Sequence, residues 1–200
     1  MSFLACLGLT ILFWYIVVLV ISLINELSFL SYDEVPTTDK TDNATYKVNE
    51  DLHCPECAAD QLDEVNKRIK HLIHHLQKKF PNDPRTHRLS TRYNAKNLVE
   101  TTPNGGKDTS FTLNKGQKIS VCVRSSYDKS KIHDINLIMY VMLHELGHLA
   151  VDTWGHGGDF PDAFSHLLRE GRNAGVWKPV DYSMRPKEYC GITIDRTARH

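Results

Sequence analysis

His144-Glu145-Leu146-Gly147-His148 constrains this chain more than any other stretch. On an α-helix, positions i and i+4 share a face with Cβ atoms about 5–6 Å apart. Two imidazoles so placed reach one metal ion at about 2.0–2.1 Å. A carboxylate directly after the first histidine stands where it can take a proton from a metal-bound water. The pattern needs a helix, and its flanks supply one. Ile135, Ile138, Met139, Met142, Leu143, Leu146 and Leu149 recur at three- and four-residue intervals, which predicts a helix over 135–149 with a buried apolar face. Asp134 is its expected N-cap. Histidines on such a face need buried polar partners, and a shared ion provides one. Gly147 leaves room for another backbone segment to pass close to the site.

A catalytic zinc takes three protein ligands and keeps one position open for water. His156 sits in the glycine-rich turn Gly155-His156-Gly157-Gly158, from which its ring can return toward the helix. Asp152, four residues past His148, continues the same helical face and is the alternative third ligand. Asp159 reads as the N-cap of a further helix with Pro161 in its first turn. Phe160, Ala163, Phe164, Leu167 and Leu168 form the apolar stripe of that helix, and Gly175 its C-cap.

Ile119-Ser120-Val121-Cys122-Val123-Arg124, then Met142 to His148, then Gly155-His156 and Phe160, resemble the WLM (Wss1-like) zinc metalloproteases over roughly residues 110–175. More distantly they are similar to the SprT-like proteases. In that family a strand ending in arginine precedes the metal helix, and a short turn delivers a third histidine. An aromatic residue four positions later opens the next helix. The turn from His148 to His156 is longer than the usual family spacing, which keeps Asp152 open. The resemblance implies an α+β, zincin-like metallopeptidase domain with a small sheet beside the His-Glu helix. It also implies Zn2+ held by His144, His148 and His156, Glu145 as general base, and a protein or peptide substrate. Tyr182, Tyr189 and Arg185 are candidates to assist the oxyanion. In zinc peptidases an edge strand near the site binds extended substrate by strand addition.

Residues 3–24 carry no charge and are rich in Leu, Ile, Val, Phe, Trp and Tyr. As a helix they would be about 33 Å long, enough for a bilayer core of about 30 Å. They lack the basic start and small-residue cleavage site of a signal peptide. The expectation is a single-pass N-terminal membrane anchor over 1–25, with Cys6 packed inside it. Lys40 is the first basic residue, so the orientation stays open. Asn43-Ala44-Thr45 is a glycosylation sequon, usable only in a lumenal or extracellular setting. Residues 26–50, rich in Asp, Glu, Asn and Thr, read as a polar linker. Residues 51–200 then form one compact domain.

Leu62, Val65, Ile69, Leu72, Ile73 and Leu76 mark a second amphipathic helix over 60–80, ended by Pro81, Asn82 and Pro84. His71 and His75 are four apart on it, yet flanking lysines favour a solvated face over a second metal site. Thr109–Leu113 and Lys118–Arg124 read as a hairpin around Asn114-Lys115-Gly116-Gln117, its second strand beside the metal helix. Val176–Tyr182 and Glu188–Ile194 read as loop with short strands. Formal net charge is zero, but residues 67–96 hold nine Lys and Arg against one acid, Asp83. That stretch is a solvated face or a patch for nucleic acid or anionic lipid. Cys54, Cys57, Cys122 and Cys190 allow three disulfide connectivities, and His53-Cys54-Pro55-Glu56-Cys57 also resembles half of a zinc knuckle. The leading expectation is a membrane-anchored zinc metallopeptidase. The alternatives are a catalytically silent zinc-binding membrane module and a nucleic-acid-associated protease acting through 67–96.

Overall fold

The computed structural model describes residues 11–22, 33–38, 44–101 and 109–195. The chain divides into two compact units, residues 1–33 and 34–200. In the first, residues 11–22 are helical, and Ile11, Leu12, Phe13, Trp14 and Tyr15 are exposed. Such a helix is about 18 Å long. Among the described residues no helix is long and apolar enough to cross a membrane. The expected span over 3–24 also takes in residues 3–10 and 23–24, which lie outside the described residues, as do Cys6 and Asn43.

The second unit is a mixed α/β fold. Its sheet has five strands: β1 (Asp33–Pro36), β2 (Thr45–Val48), β3 (Leu98–Glu100), β4 (Phe111–Leu113) and β5 (Lys118–Val121). Their spatial order is β1-β2-β3-β5-β4. β2, β3 and β5 are parallel, whereas β4 runs antiparallel to β5 with Phe111 opposite Ser120. Residues 26–50 are therefore not all linker. Tyr46 and Val48 are buried, and the Tyr46 hydroxyl donates to Asp63 Oδ1 and accepts from Asn66 Nδ2, both at 2.9 Å. A two-residue apolar alternation inside a charged stretch is too short to announce a strand.

Four helices complete the unit, α1 (Pro55–Lys79), α2 (Pro84–Arg92), α3 (Ile135–Ala150) and α4 (Phe160–Asn173), with α1 and α3 packed on the sheet and α2 and α4 packed on those two. α1 buries Leu62, Val65, Ile69, Leu72 and Leu76 as the periodicity predicts, and starts five residues earlier because Pro55 suits a first helical turn. α2 was not expected. Pro84 does not only end α1. It opens α2 behind the N-cap Asp83, whose carboxylate accepts the Arg85 amide at 2.8 Å. The stripe predicted for α4 is buried throughout.

Charged groups join these elements. The Arg124 Nε–H donates to Glu100 Oε1 at 2.6 Å, with both side chains fully buried. The other guanidinium nitrogens donate to the carbonyls of His53, Cys54 and Lys129, and the Asn49 amide donates to Glu100 Oε2. β5 itself ends at Val121, and Arg124 lies beyond it in a single bridge to Ile132. On α4, buried Glu170 accepts from His75 and Lys79 of α1, each at 2.9 Å. His75 is thereby committed, His71 is exposed, and no second metal-holding cluster forms among the described residues.

Burial works to raise the Glu170 carboxyl, but hydrogen bonds from Lys79, His75 and Asn173 outweigh it and hold it at about 2, against an ordinary 4.5. The folded value lies below the unfolded one. The contact thus contributes stability above pH 4.5 and loses it as pH falls toward 2. Urea unfolding at a series of pH values is expected to show a steeper decline across that window for the parent than for Glu170→Gln. Parallel declines would remove Glu170 as the cause.

The cysteines pair as Cys54–Cys57 and Cys122–Cys190. The buried second bridge ties the exit of β5 to a hairpin of β6 (Lys187–Tyr189) and β7 (Ile192–Ile194). It spans 68 positions, a loop whose closure is worth roughly 4 kcal/mol on the chain-entropy model. The bridge at Cys54 and Cys57 leaves no thiol there for half a zinc knuckle.

Candidate metal centre

α3 begins where its cap requires. The Asp134 carboxylate accepts the amides of Asn136 and Leu137 at 3.0 and 3.3 Å, two of the donors a helix start leaves unpaired. The last turns of α3 carry His144, Glu145 and His148, and the loop after it brings His156 back. His144 Nε2 and His156 Nε2 lie 3.0 Å apart, and ligand atoms of all three rings lie within 4.8 Å of one another. Two nitrogens each about 2.0–2.1 Å from one ion are at most about 4.2 Å apart, so the closest pair already fits. Burial, with the neighbouring imidazoles, pushes His144 and His148 down to about 4. Both rings are therefore neutral at pH 7, with a lone pair free. Three imidazoles form a donor set suited to zinc.

Phe160, the first residue of α4, holds the rings together. It stacks on His148 with centroids 4.3 Å apart and meets His144 and His156 edge-on at 4.8 and 5.0 Å. Gly147 makes room for this ring rather than for another backbone segment. A Cβ there would stand 3.0 Å from Phe160 Cε2. Alanine is better in a helix than glycine by about 1 kcal/mol, yet in Gly147→Ala the ring must move. Competition with a chromophoric chelator is expected to show zinc bound about tenfold more weakly, with no fall in Tm. Unchanged affinity would show that Phe160 does not set the rings.

Asp152, the alternative ligand, lies outside the histidine group and is paired with arginines. Arg88 binds it at 2.7 Å and Arg92 binds it as well. The same cations cap the end of α3. Arg92 Nη1 donates to the carbonyls of Leu149 and Val151, Arg88 to Ala150, and Lys115 Nζ to His148 and Thr153. Cations at a helix C-terminus satisfy its last carbonyls and complement its dipole. Here they also fix the direction of the loop that delivers His156. Lys115 sits in the β4–β5 turn at φ 57, followed by Gly116 at φ 111. A Cβ on Gly116 would stand 2.7 Å from the Arg92 carbonyl oxygen, so the turn can approach α2 only with glycine there.

The rings open onto a cleft of about 360 Å³ lined also by Phe111, Thr112, Lys115 and Trp154. Lys115 Nζ lies 5.0 Å from the Trp154 ring centroid, and Trp154 is 74% exposed. Glu145 lines the same cleft yet is only 6% exposed. Burial pushes its carboxyl up to about 7, with Thr112 offsetting part of the shift. The strand at the cleft is β4, the outermost of the sheet, whereas β5 lies between β3 and β4. β5 packs on the metal helix too, as expected for Lys118–Arg124, while its pairing with β3 and β4 leaves the free edge at the cleft to β4.

None of the three residues suggested for the oxyanion lines this cleft. The Tyr189 hydroxyl is buried and shares a 2.6 Å hydrogen bond with Ser110 Oγ. Tyr182 packs on Tyr140 with centroids 5.0 Å apart and lines a separate cavity beside His133 and Glu188. Arg185 is exposed. In 67–96, Lys67, Arg68, Lys79, Arg85, Arg88 and Arg92 all bind carboxylates of this chain. Most of that charge is therefore answered internally, as a solvated face requires.

Residues 46–178 match the model of the WLM domain. The chain belongs to the WLM domain family. The match extends N-terminally beyond the metal helix and its hairpin, to β2 and α1. The WLM domain is zinc-associated and of metalloprotease type. An uncharacterised protein of Acanthamoeba polyphaga mimivirus is 39% identical over 157 residues, which are 76% of this chain and 78% of that protein. An uncharacterised protein of Invertebrate iridescent virus 6 is 32% identical over 82 residues, 40% of this chain and 44% of its own length. Among solved structures, Wss1 from Saccharomyces cerevisiae superposes with a TM-score of 0.48 at 23% sequence identity, covering 64% of this chain and 87% of that one.

Proposed function

We propose that this WLM domain is a zinc metallopeptidase of zincin-like architecture, with His144, His148 and His156 as the zinc ligands and Glu145 as the catalytic base. The observation that carries this reading is the convergence of the three rings beside a buried glutamate in one cleft. Bound there, zinc supplies Lewis-acid chemistry, acidifying water and polarising a carbonyl. Glu145 accepts the proton of the attacking water and returns it to the leaving amine. Burial favours the protonated form of its carboxyl, which helps it hold the proton between the two transfers. The outer edge of β4 offers backbone groups to an extended peptide, Phe111 and Trp154 offer apolar walls, and Lys115 a positive charge at the rim.

The full chain is expected to contain one zinc and to cleave members of an unstructured peptide library. A chelator should abolish cleavage and added zinc restore it. Zinc bound without hydrolysis of any peptide would favour the silent module instead. Membrane attachment is part of the same proposal, and the uncharged helix at 11–22 with its exposed apolar side chains supports it. The chain should then stay with vesicles through alkaline carbonate washing, and release into the wash would refute attachment.

A further inference from the structure

The two disulfides sit in opposite settings. Cys122 and Cys190 are buried in the core. Cys57 is exposed and Cys54 half-exposed, in Cys54-Pro55-Glu56-Cys57 at the start of the 25-residue α1. Cys54 is the N-cap, at φ 53, and its side chain makes no capping hydrogen bond. The backbone around the pair is fixed without the sulfurs. The Cys54 carbonyl accepts the amides of Cys57 and Ala58 at 3.1 and 3.4 Å and the Arg124 guanidinium at 3.2 Å. The carbonyl of His53 accepts Arg124 as well. Opening this bridge therefore leaves the start of α1 held, and its short loop confines little of the unfolded chain. An exposed disulfide of this kind is reducible, whereas a buried structural one resists.

We propose that Cys54–Cys57 is a thiol–disulfide exchange site for a low-molecular-weight thiol of the glutathione type. The incoming thiolate attacks the exposed Sγ of Cys57. The protein S–S bond breaks, and its electron pair leaves on Cys54 Sγ as a mixed disulfide forms on Cys57. Cys54 is the leaving group because Cys57 is the more exposed of the two and so the one that the thiolate reaches. A second thiolate attacks the ligand sulfur of the mixed disulfide, releasing the oxidised thiol dimer and the Cys57 thiolate. The protons of the two thiols pass to the two cysteines. The protein disulfide is reduced by two electrons, the two thiols are oxidised by two, and the reverse sequence closes the bridge. The site lies apart from the histidine cluster and is independent of the peptidase reading.

The test exposes the folded full chain to reduced glutathione, then applies alkylation with two distinguishable reagents and peptide mass spectrometry. Cys54–Cys57 is expected to open at least about a hundredfold faster than Cys122–Cys190. In Cys54→Ser, glutathione should be trapped on Cys57 by oxidised glutathione. In Cys57→Ser, capture on half-exposed Cys54 should be slower. Far-UV circular dichroism confirms that each variant folds, and the rate comparison in the parent stands without them. Opening of both bridges together, opening only in urea, four free thiols in the air-oxidised protein, or zinc held by Cys54 and Cys57 would each overturn the proposal.

Discussion

Glu145→Gln is expected to keep the zinc and the fold while losing peptide cleavage by a factor of about 10² to 10⁴. Glutamine matches glutamate in shape, so Thr112 and the cleft wall meet nearly the same surface. At 6% exposure the wild-type carboxylate is held in an environment that disfavours its charge. A neutral amide removes that cost, and Tm should hold or rise. The three rings do not need Glu145 for their positions, since Phe160 and the capped end of α3 set them. What the amide cannot do is take a proton from water at pH 7. Zinc content, Tm and single-turnover cleavage measured on one preparation separate these effects. Full cleavage by the variant would refute the assignment of Glu145. Lost zinc in a folded variant would make it a structural support of the centre instead.

Much of the centre was legible because its signals are local. The spacing of His144 and His148, the apolar period of α3 and the cap at Asp134 all lie within fifteen residues and need only helix geometry. Phe160 was legible through family spacing, although the sequence does not say that its ring touches all three histidines. The choice between His156 and Asp152 was not local. Arg88 and Arg92, some sixty residues upstream, bind Asp152, which lies outside the histidine group. Lys115 is silent for the same reason, because a lysine in a hairpin turn carries no sign that it will cap a distant helix. α2 and β2 were missed differently. Pro84 marks a helix start as well as a stop, and a four-residue strand among charges leaves too short an alternation to detect. The pattern marks Arg124 only as the end of a strand, whereas its role depends on carbonyls at 53 and 54 and a carboxylate at 100, brought together only by the parallel sheet.

Arg124→Met is expected to cost about 3–5 kcal/mol, a large share of the roughly 5–15 kcal/mol that holds a domain folded. Methionine fills much of the same volume, so the loss is electrical rather than steric. The guanidinium is the only cation against Glu100 among the described salt bridges. Burial already pushes that carboxyl up, against the pull of the Asn49 amide and of Arg124 itself. Without Arg124, Glu100 must take up a proton or remain charged in a space without water, and the carbonyls of His53, Cys54 and Lys129 lose a donor together. Two measurements separate these sources. Urea unfolding of Glu100→Gln/Arg124→Met should recover part of the loss, since the buried charge is gone while the carbonyls stay unpaired. The stability of Arg124→Met alone should rise toward acid pH relative to the parent, because protonation of Glu100 removes the unpaired charge. A single-variant loss below about 1 kcal/mol would mean that water reaches the pair and that β3 and the start of α1 are joined by packing alone.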